Sequence, residues 1–192
     1  MYLVQQYISD SFRIKDRAFA LKYYVLITCI SPLTIYVHND GFCKFRKRSG
    51  KSEAEANAPA FISIQEAYQY MREANINLMN LWQKIKDVII KTLLSIQKEL
   101  VQSYKILQPQ DKLFDKCFEI LTFEIIVDRE EKPWLISVNA SPNFDYNSGK
   151  ELNIKKSILL DSFRMINLTN QAKKLKKEIF EDSDIMDSNE AG

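Results

Sequence analysis

The stretch that decides the fold is LTFEIIVDREEKPWLISVN, residues 121–139. Two runs rich in β-branched and aromatic residues flank the polar residues 129–132, which predicts two antiparallel strands joined by a four-residue turn. Such a turn fixes the register, with the facing pairs Asp128–Pro133, Glu124–Ser137 and Thr122–Asn139. Facing residues point to the same side of a sheet, and side chains alternate with a period of two. We therefore expect Thr122, Glu124, Ser137 and Asn139 to share one polar face.

A carboxylate beside an amide oxygen on such a face suits a hard cation. Mg²⁺ prefers oxygen ligands and often takes only one or two carboxylates together with substrate phosphates. The alternative is an ordinary solvated sheet face, whose polar residues bind nothing. The opposite face is expected to belong to the core, with the apolar residues Phe123, Ile125, Val127, Trp134, Ile136 and Val138.

The rest of the chain predicts an α+β fold, an antiparallel sheet with packed helices. Strands are expected at residues 2–8, 18–30, 34–38 and 42–45, the last two joined by a tight turn at Asn39-Asp40-Gly41. Apolar residues at helical spacing predict a core helix of about six turns over residues 78–100 and another over 152–168, with a short helix at 111–120. Residues 46–60 are expected to form a mobile loop and residues 169–192 a charged, disordered tail, which leaves residues 1–168 as the domain.

The composition is that of an ordinary globular protein, with 27 basic against 25 acidic side chains. No basic stripe interleaved with aromatic residues is present, so we expect no nucleic-acid partner. No apolar run approaches the ~20 residues of a membrane span, and three widely spaced cysteines indicate reduced thiols. These features predict a cytoplasmic protein without a membrane partner.

Two lysines are candidates for an anion site. Lys22 interrupts an otherwise apolar strand, and Lys44 follows the predicted turn, with Arg46 close behind. A lysine in a buried strand either extends its ammonium to solvent or meets an anion such as phosphate, and the sequence leaves both readings open. The single His38 has no second histidine or cysteine nearby and is read as an ordinary residue.

Several stretches resemble the tubulin-tyrosine-ligase-like family, especially its polyglutamylase-type members. Residues 4–8, VQQYI, are similar to the family's V-Q-K-Y-I hinge, and residues 19–27, FALKYYVLI, to its F-D-L-R-V-Y-V-L-V strand. Residues 32–45 resemble the P-L-x-I-Y-x-x-x-x-G-x-x-R-F segment, and residues 85–94 resemble I-K-D-x-I-I-K-T-L. The most specific match is KPWLISVNASP, residues 132–142, which is similar to K-P-W-L-L-E-V-N-x-S-P.

The resemblance implies an ATP-grasp-like fold that binds ATP and Mg²⁺ and joins an amino acid, glutamate in the polyglutamylases, to tubulin through an acyl phosphate. It places Lys22 and Lys44 at phosphate-contacting positions. It assigns Glu124 and Asn139 to the metal, and Gln5, Tyr7 and Ile8 to adenine. Tubulin or microtubules would be the partner, in a cytoskeletal or ciliary setting.

The departures from the family pattern weaken the expected activity. Ser137 stands where the family has a metal-bridging glutamate, and Lys22 and Lys44 replace arginines, so the bidentate fork that matches phosphate is lost. Gln6 and Ala20 replace a lysine and an aspartate, and the N-terminal lobe of the fold is expected to be missing. Two alternatives therefore stay open: an inactive pseudoenzyme that binds microtubules or another partner, and a gene fragment that does not fold stably.

Overall fold

The computed structural model describes Val4 and residues 7–46, 59–111 and 117–166. By its internal contacts the chain divides into two units, Met1–Lys155 and Lys156–Gly192. The sheet and the candidate site lie in the first unit. In the second unit the structure describes residues 156–166, of which residues 156–165 are helical.

Seven strands and three helices make up the described residues. The strands are β1 Arg13–Ile14, β2 Arg17–Ile30, β3 Leu33–Val37, β4 Phe42–Phe45, β5 Phe61–Ser63, β6 Glu119–Val127 and β7 Pro133–Asn139. The helices are α1 Ile64–Glu73, α2 Leu78–Leu107 and α3 Gly149–Met165. The fold class is therefore α+β, as the sequence predicts, and the antiparallel sheet is consistent with part of an ATP-grasp-like fold.

The long strand β2 organises the sheet, whose main path runs β5-β4-β2-β6-β7. Strands β1 and β3 also pair with β2, beside its beginning and its end. All described pairings are antiparallel. The predicted central strand at residues 18–30 is confirmed, and the reason is the run of β-branched and aromatic residues that packs well on a pleated surface.

The two faces of β2 have different surroundings. Its odd-numbered residues from Leu21 to Ile27 belong to the hydrophobic core, together with Phe123 and Ile125 of β6 and residues of α1 and α2. The helix α2 contributes a buried stripe, Leu81, Ile85, Ile89 and Leu93, at the spacing that the sequence predicts. The even-numbered residues of β2 face the opposite side, where the predicted polar residues of β6 and β7 lie.

The predicted tight hairpin at Asn39-Asp40-Gly41 is wrong. Strands β3 and β4 do not pair with each other. Both pair with β2, β3 beside residues 25–30 and β4 beside residues 19–22. The long strand offers enough backbone for two short partners end to end, so the Asp-Gly segment carries the chain from one pairing to the next.

The predicted register of β6 and β7 is right at the site and wrong at the turn. Thr122 faces Asn139 and Glu124 faces Ser137, as expected, but a bulge after Glu124 makes Val127, and not Asp128, the partner of Pro133. The extra residue also shifts side chains between faces. Trp134 now faces Ile126, and Ile136 lines a cavity with Glu124, so neither belongs to the core face to which the pattern assigned them.

Two further predictions of secondary structure are wrong in the described residues. The described residues Val4, Tyr7 and Ile8 form no strand, contrary to the strand expected at residues 2–8, and Glu119 and Ile120 are strand and not helix. Residues 47–58 of the expected loop, residues 112–116 and the tail after residue 168 lie outside the described residues. In the described part of the chain, no helix has the length and apolar character that crossing a membrane requires.

Candidate active site

The candidate site is built on the face of the sheet opposite the core. One row across four strands reads Phe42, Lys22, Glu124 and Ser137. The next row toward the end of β2 holds Tyr24, Thr122 and Asn139, and the row on the other side holds Ala20 and Lys44. Because facing residues project from the same side, the topology brings the predicted lysines and the predicted metal ligands together.

Lys22 lies at the centre of this arrangement, and the residue is only 9% exposed. No carboxylate among the described residues lies within ion-pair distance of its ammonium. Burial lowers the pKa of Lys22, and the nearby positive charge of Lys44 lowers it further, whereas Glu124 acts in the opposite direction. A buried ammonium in this state gains from any anion that enters the site.

Glu124 contacts Lys44 on one side and Ser137 on the other, beside the position expected for the metal ion. Its Oε1 lies 3.6 Å from Lys44 Nζ, and its Oε2 accepts a hydrogen bond from Ser137 Oγ at 3.3 Å. Asn139 is exposed and forms a local turn, since its Oδ1 accepts a hydrogen bond from the Ser141 backbone N–H at 2.9 Å. An amide oxygen has a second lone pair, so Asn139 keeps a position free for a further ligand.

The donors on this face fit Mg²⁺ in kind but are few in number. They are oxygen atoms, which Mg²⁺ prefers, and Glu124 is the carboxylate among them. Within residues that the structure describes, no group of three or more His, Cys, Asp or Glu side chains could hold a metal ion unaided. A metal ion here would therefore depend on phosphate oxygens supplied by a nucleotide.

A cavity of about 480 Å³ opens beside this face, within the ~300–1,000 Å³ usual for a small-molecule site. Its lining includes the predicted adenine contacts Tyr7 and Ile8 together with Lys44 and Glu124. Arg46 fixes Tyr7 at the rim by donating a hydrogen bond to its hydroxyl at 2.7 Å. The structure thus brings Tyr7, Ile8, Lys44 and Glu124 together, while Gln5 lies outside the described residues.

A second, smaller cavity of about 190 Å³ lies next to the first, and Lys44 lines both. Lys22, Tyr24 and Lys155 also line it. Lys155 belongs to α3, is 7% exposed and forms an ion pair of 2.8 Å with Glu151. The hydrogen bond from Lys155 lowers the pKa of Glu151.

Sequence reasoning misses Tyr24, Lys155, Ile126 and Ile136 as lining residues. Alternation along β2 could have placed Tyr24 beside Lys22, since the two are separated by one residue. Ile136 reaches its cavity only through the bulge, and Lys155 only through the docking of α3. Neither event leaves a local pattern in the sequence.

The chain matches the family model described as the tubulin-tyrosine ligase family over residues 1–56 and 46–176. It is 34% identical over 90% of its length to the tubulin polyglutamylase TTLL6 of Mus musculus, and covers 24% of that protein. It is 29% identical over 90% of its length to a probable beta-tubulin polyglutamylase of Tetrahymena thermophila, covering 17% of it. It is also 25% identical over 90% of its length to the tubulin polyglutamylase TTLL7 of Xenopus tropicalis, covering 22% of it.

The chain thus spans about a quarter or less of the length of these curated relatives. The family model nevertheless covers most of its residues, including the two cavities and the polar face between them. On that match, the chain belongs to the tubulin-tyrosine ligase family.

Proposed function

We propose that this chain provides the phosphate- and carboxylate-handling part of an ATP-dependent ligase that adds glutamate to tubulin. The observation that carries the proposal is Lys22, a buried ammonium without a carboxylate partner in the described structure, placed between Lys44 and Glu124. The choice of glutamate and tubulin follows the polyglutamylases to which the chain is similar. A protein acting on tubulin would work at the cytoskeleton.

The proposed reaction uses residues that line the two adjoining cavities. ATP in the 480 Å³ cavity would present its terminal phosphoryl group toward Lys44 in the wall of that cavity and Lys22 in the wall of the adjoining one. Their charges would stabilise the phosphoryl group as it passes to a substrate carboxylate and ADP leaves. The amine of the second substrate would then attack the acyl carbon, so that the C–N bond forms, the C–O bond to phosphate breaks, inorganic phosphate leaves and the amine gives up a proton. Tyr7 and Ile8 would hold the adenine, and Gln5 is assigned there by resemblance.

Glu124 and Asn139 would hold Mg²⁺ against the phosphate oxygens. The ion, when bound, would neutralise phosphate charge. Fixing the reactants in one orientation accounts for much of the acceleration that such a site can provide. The sheet serves this purpose because strand register, rather than a loop, sets the positions of the two lysines and of the two metal ligands.

The test is incorporation of labelled glutamate into tubulin by the full-length gene product, with Mg-ATP. Replacing Lys22 with Met should lower incorporation at least about tenfold, because a charge-assisted contact to phosphate contributes ~1.5–3 kcal/mol. Asn139→Ala should lower it as well. The matched control is Lys98→Met, which removes an exposed lysine of α2 and should leave incorporation unchanged. Equal activity in Lys22→Met and wild type would reject the assignment.

A second candidate function is supported by Ser137. A neutral hydroxyl faces Glu124 where the family pattern has a glutamate, so one anionic ligand is absent from the face. With weakened metal binding the protein would act as a microtubule-binding module without turnover. Calorimetric titration with Mg-ATP decides between the two: tight, Mg²⁺-dependent binding by the unmodified protein would exclude the binding-module candidate.

A further inference from the structure

A third cavity, of about 320 Å³, lies on the core side of the sheet, away from the candidate active site. Its described lining is Tyr23, His38, Asn39, Gln65, Tyr68 and Trp82. Tyr23 belongs to the hydrophobic core, and Tyr68 and Trp82 pack against that core. None of these residues lines the 480 Å³ or the 190 Å³ cavity. The volume is within the ~300–1,000 Å³ usual for a small-molecule site, and the proposed ligase reaction does not use it.

Three aromatic rings form the apolar part of the wall. The ring centres of Tyr23 and Trp82 lie 5.7 Å apart, with an angle of 43° between the ring planes. Tyr68 joins them through its hydroxyl oxygen, which lies 2.7 Å from that of Tyr23. Aromatic faces and edges attract another planar ring, either stacked or edge to face. The rings therefore favour a planar ligand over a bulky aliphatic one.

The wall also contains polar groups that no described residue uses. One hydroxyl of the Tyr23–Tyr68 pair donates to the other, so one phenolic proton is left without an acceptor. Burial raises the pKa of both tyrosines, so this proton is present at neutral pH. Trp82 Nε1–H has no acceptor in the described structure, and Gln65 Oε1 accepts no hydrogen bond there. The wall thus offers donors and an acceptor to a ligand.

The charges around the cavity favour a neutral ligand. In the described lining there is no carboxylate and no ammonium group. Lys86 lies beside the wall, with its Nζ 5.9 Å from the centre of the Trp82 ring, so a cationic ligand would meet a like charge. An anionic ligand would leave water for a wall without a charged donor, which is costly.

Contacts between the protein's own groups hold the polar side of the wall in place. Gln65 Nε2 donates to the Asn39 backbone carbonyl at 2.7 Å. The backbone nitrogen and oxygen of Asp40 both lie 3.0 Å from His38 Nδ1. These contacts tie the segment before β4 to the first turn of α1. A wall that is already ordered lowers the entropic cost of binding.

We propose that the 320 Å³ cavity is a second ligand site, which binds a neutral planar ring carrying a carboxamide-like group. The carbonyl oxygen of that group accepts a proton from the tyrosine pair or from Trp82, and its N–H donates to Gln65 Oε1. The rings of Tyr23, Tyr68 and Trp82 surround the planar part. Because this site shares no lining residue with the candidate active site, it stands or falls independently of the proposed ligase function.

The test is saturation-transfer NMR on the full-length gene product with three probes of similar size. Benzamide is neutral and planar, benzoate has the same ring with a negative charge, and cyclohexanecarboxamide has the same amide on a puckered ring. Benzamide should bind most tightly, and saturating Mg-ATP should not displace it.

Two variants locate the binding. Gln65→Met removes the amide and should weaken benzamide binding about fivefold, the effect of one neutral hydrogen bond. Trp82→Phe keeps a ring but removes the indole N–H, and should also weaken it. The matched control is Gln69→Met, which changes an exposed glutamine one turn further along α1 and outside the described lining.

Each outcome decides the inference. Benzamide binding that either Gln65→Met or Trp82→Phe weakens, while Gln69→Met does not, supports it. Absence of benzamide binding at millimolar concentration overturns it, as do equal affinities for the three probes. Affinity that is the same in all variants places benzamide elsewhere on the protein, and displacement by Mg-ATP places it in the 480 Å³ cavity. Both of these results also overturn the inference.

Discussion

Lys22 affects both the stability of the protein and its binding of anions. Its pKa lies below the usual 10.5, first because of burial and then because of Lys44. Between the two pKa values the unfolded chain binds more protons than the folded chain, so the free energy of unfolding rises with pH in that window. The destabilising effect of Lys22 is fully present below its folded-state pKa and is relieved as pH approaches 10.5.

Lys22→Met should therefore stabilise the unliganded protein at neutral pH, by on the order of 1 kcal/mol, because an unpaired buried charge is replaced by an apolar chain of similar length. The advantage over wild type should shrink as pH rises through the folded-state pKa of Lys22. Urea unfolding of both proteins at pH 7 and at pH 10.5, the usual lysine value, measures the change. A constant difference at the two pH values would show that the ammonium is not the cause, since other titrating groups are shared.

Asp128 shows how one carboxylate holds a turn. Its Oδ1 accepts from the backbone N–H groups of Glu130 and Lys132, both at 2.9 Å, and its Oδ2 accepts from Trp134 Nε1 at 2.8 Å. Burial alone would raise the pKa of Asp128, but the hydrogen bonds from Trp134, Lys132 and Glu130 together lower it. The stability that it contributes is present above the unfolded-state pKa and is lost as pH falls through the folded-state pKa.

Asp128→Ala should destabilise the protein by about 1–2 kcal/mol, a value reduced for the partial exposure of the turn. Asp128→Asn keeps an oxygen for the two backbone donors and places an amide against Trp134. It should therefore lower the free energy of unfolding by less than Asp128→Ala does. Chemical unfolding at pH 7 gives both values, and at a pH below the folded-state pKa the difference between wild type and Asp128→Ala should narrow. An alanine variant as stable as wild type would mean that the turn forms without the carboxylate.

At the scale of elements, the packing of Gly41 against β2 sets the position of the site. A Cβ atom added at Gly41 would overlap the Lys22 backbone carbonyl oxygen and lie 2.9 Å from Ile64 Cδ1. The start of α1 would be pushed as well, and this start is fixed by the capping box of Ser63 and Glu66. The absence of a side chain at residue 41 therefore allows β2, α1 and the chain before β4 to meet.

Gly41→Ala should cost about 1–3 kcal/mol, as overpacking usually does, and should weaken anion binding at Lys22 because the backbone there must shift. Gly149→Ala is the matched control, since a Cβ atom at Gly149 meets no atom within 4 Å. Thermal unfolding together with phosphate titration reports both effects. Equal melting temperatures for the two variants would contradict the close approach.

The strands also show which features of the fold a local sequence pattern can predict. Alternation and the turn length predict the pairing of Glu124 with Ser137, because both are local properties of one strand pair. The bulge that follows Glu124 depends on packing between strands. Because the residues around it are apolar, such as Leu135 and Ile136, the alternation of polar and apolar residues does not reveal the extra residue. Turn preference predicts a tight hairpin at Asp40-Gly41, but the strands on either side of it pair with the long strand β2 instead.

At the scale of the whole molecule, the site depends on contacts between distant parts of the chain. Lys150 at the start of α3 donates to both carboxylate oxygens of Glu66 in α1 at 2.6 Å. Lys155, one turn further, reaches the cavity beside β2. The family resemblance identifies the strands and their polar residues, whereas the cavity walls follow from tertiary packing, which no local stretch encodes. This is why Tyr24 and Lys155 become visible only in three dimensions.

The melting temperature of the protein, measured with and without Mg²⁺, should show whether the polar face retains the geometry of a metal site. Ser137→Glu would place a second carboxylate opposite Glu124, and like charges facing each other in a sheet are destabilising. In the presence of a chelator this variant should melt below wild type. Added Mg²⁺ should raise its melting temperature more than that of wild type, because a ligand that binds only the folded state stabilises it by mass action.

Ser137→Gln has the same size without the charge and should show neither effect. If Mg²⁺ shifted Ser137→Glu and Ser137→Gln equally, the two facing positions would not be close enough to share an ion, and the assignment of Glu124 as a metal ligand would fail. If the glutamate variant alone responds, the strand pair still holds Glu124 and residue 137 at a spacing that suits a metal ion. The substitution by Ser137 would then be the cause of weak metal binding in this chain, rather than a change in the fold around it.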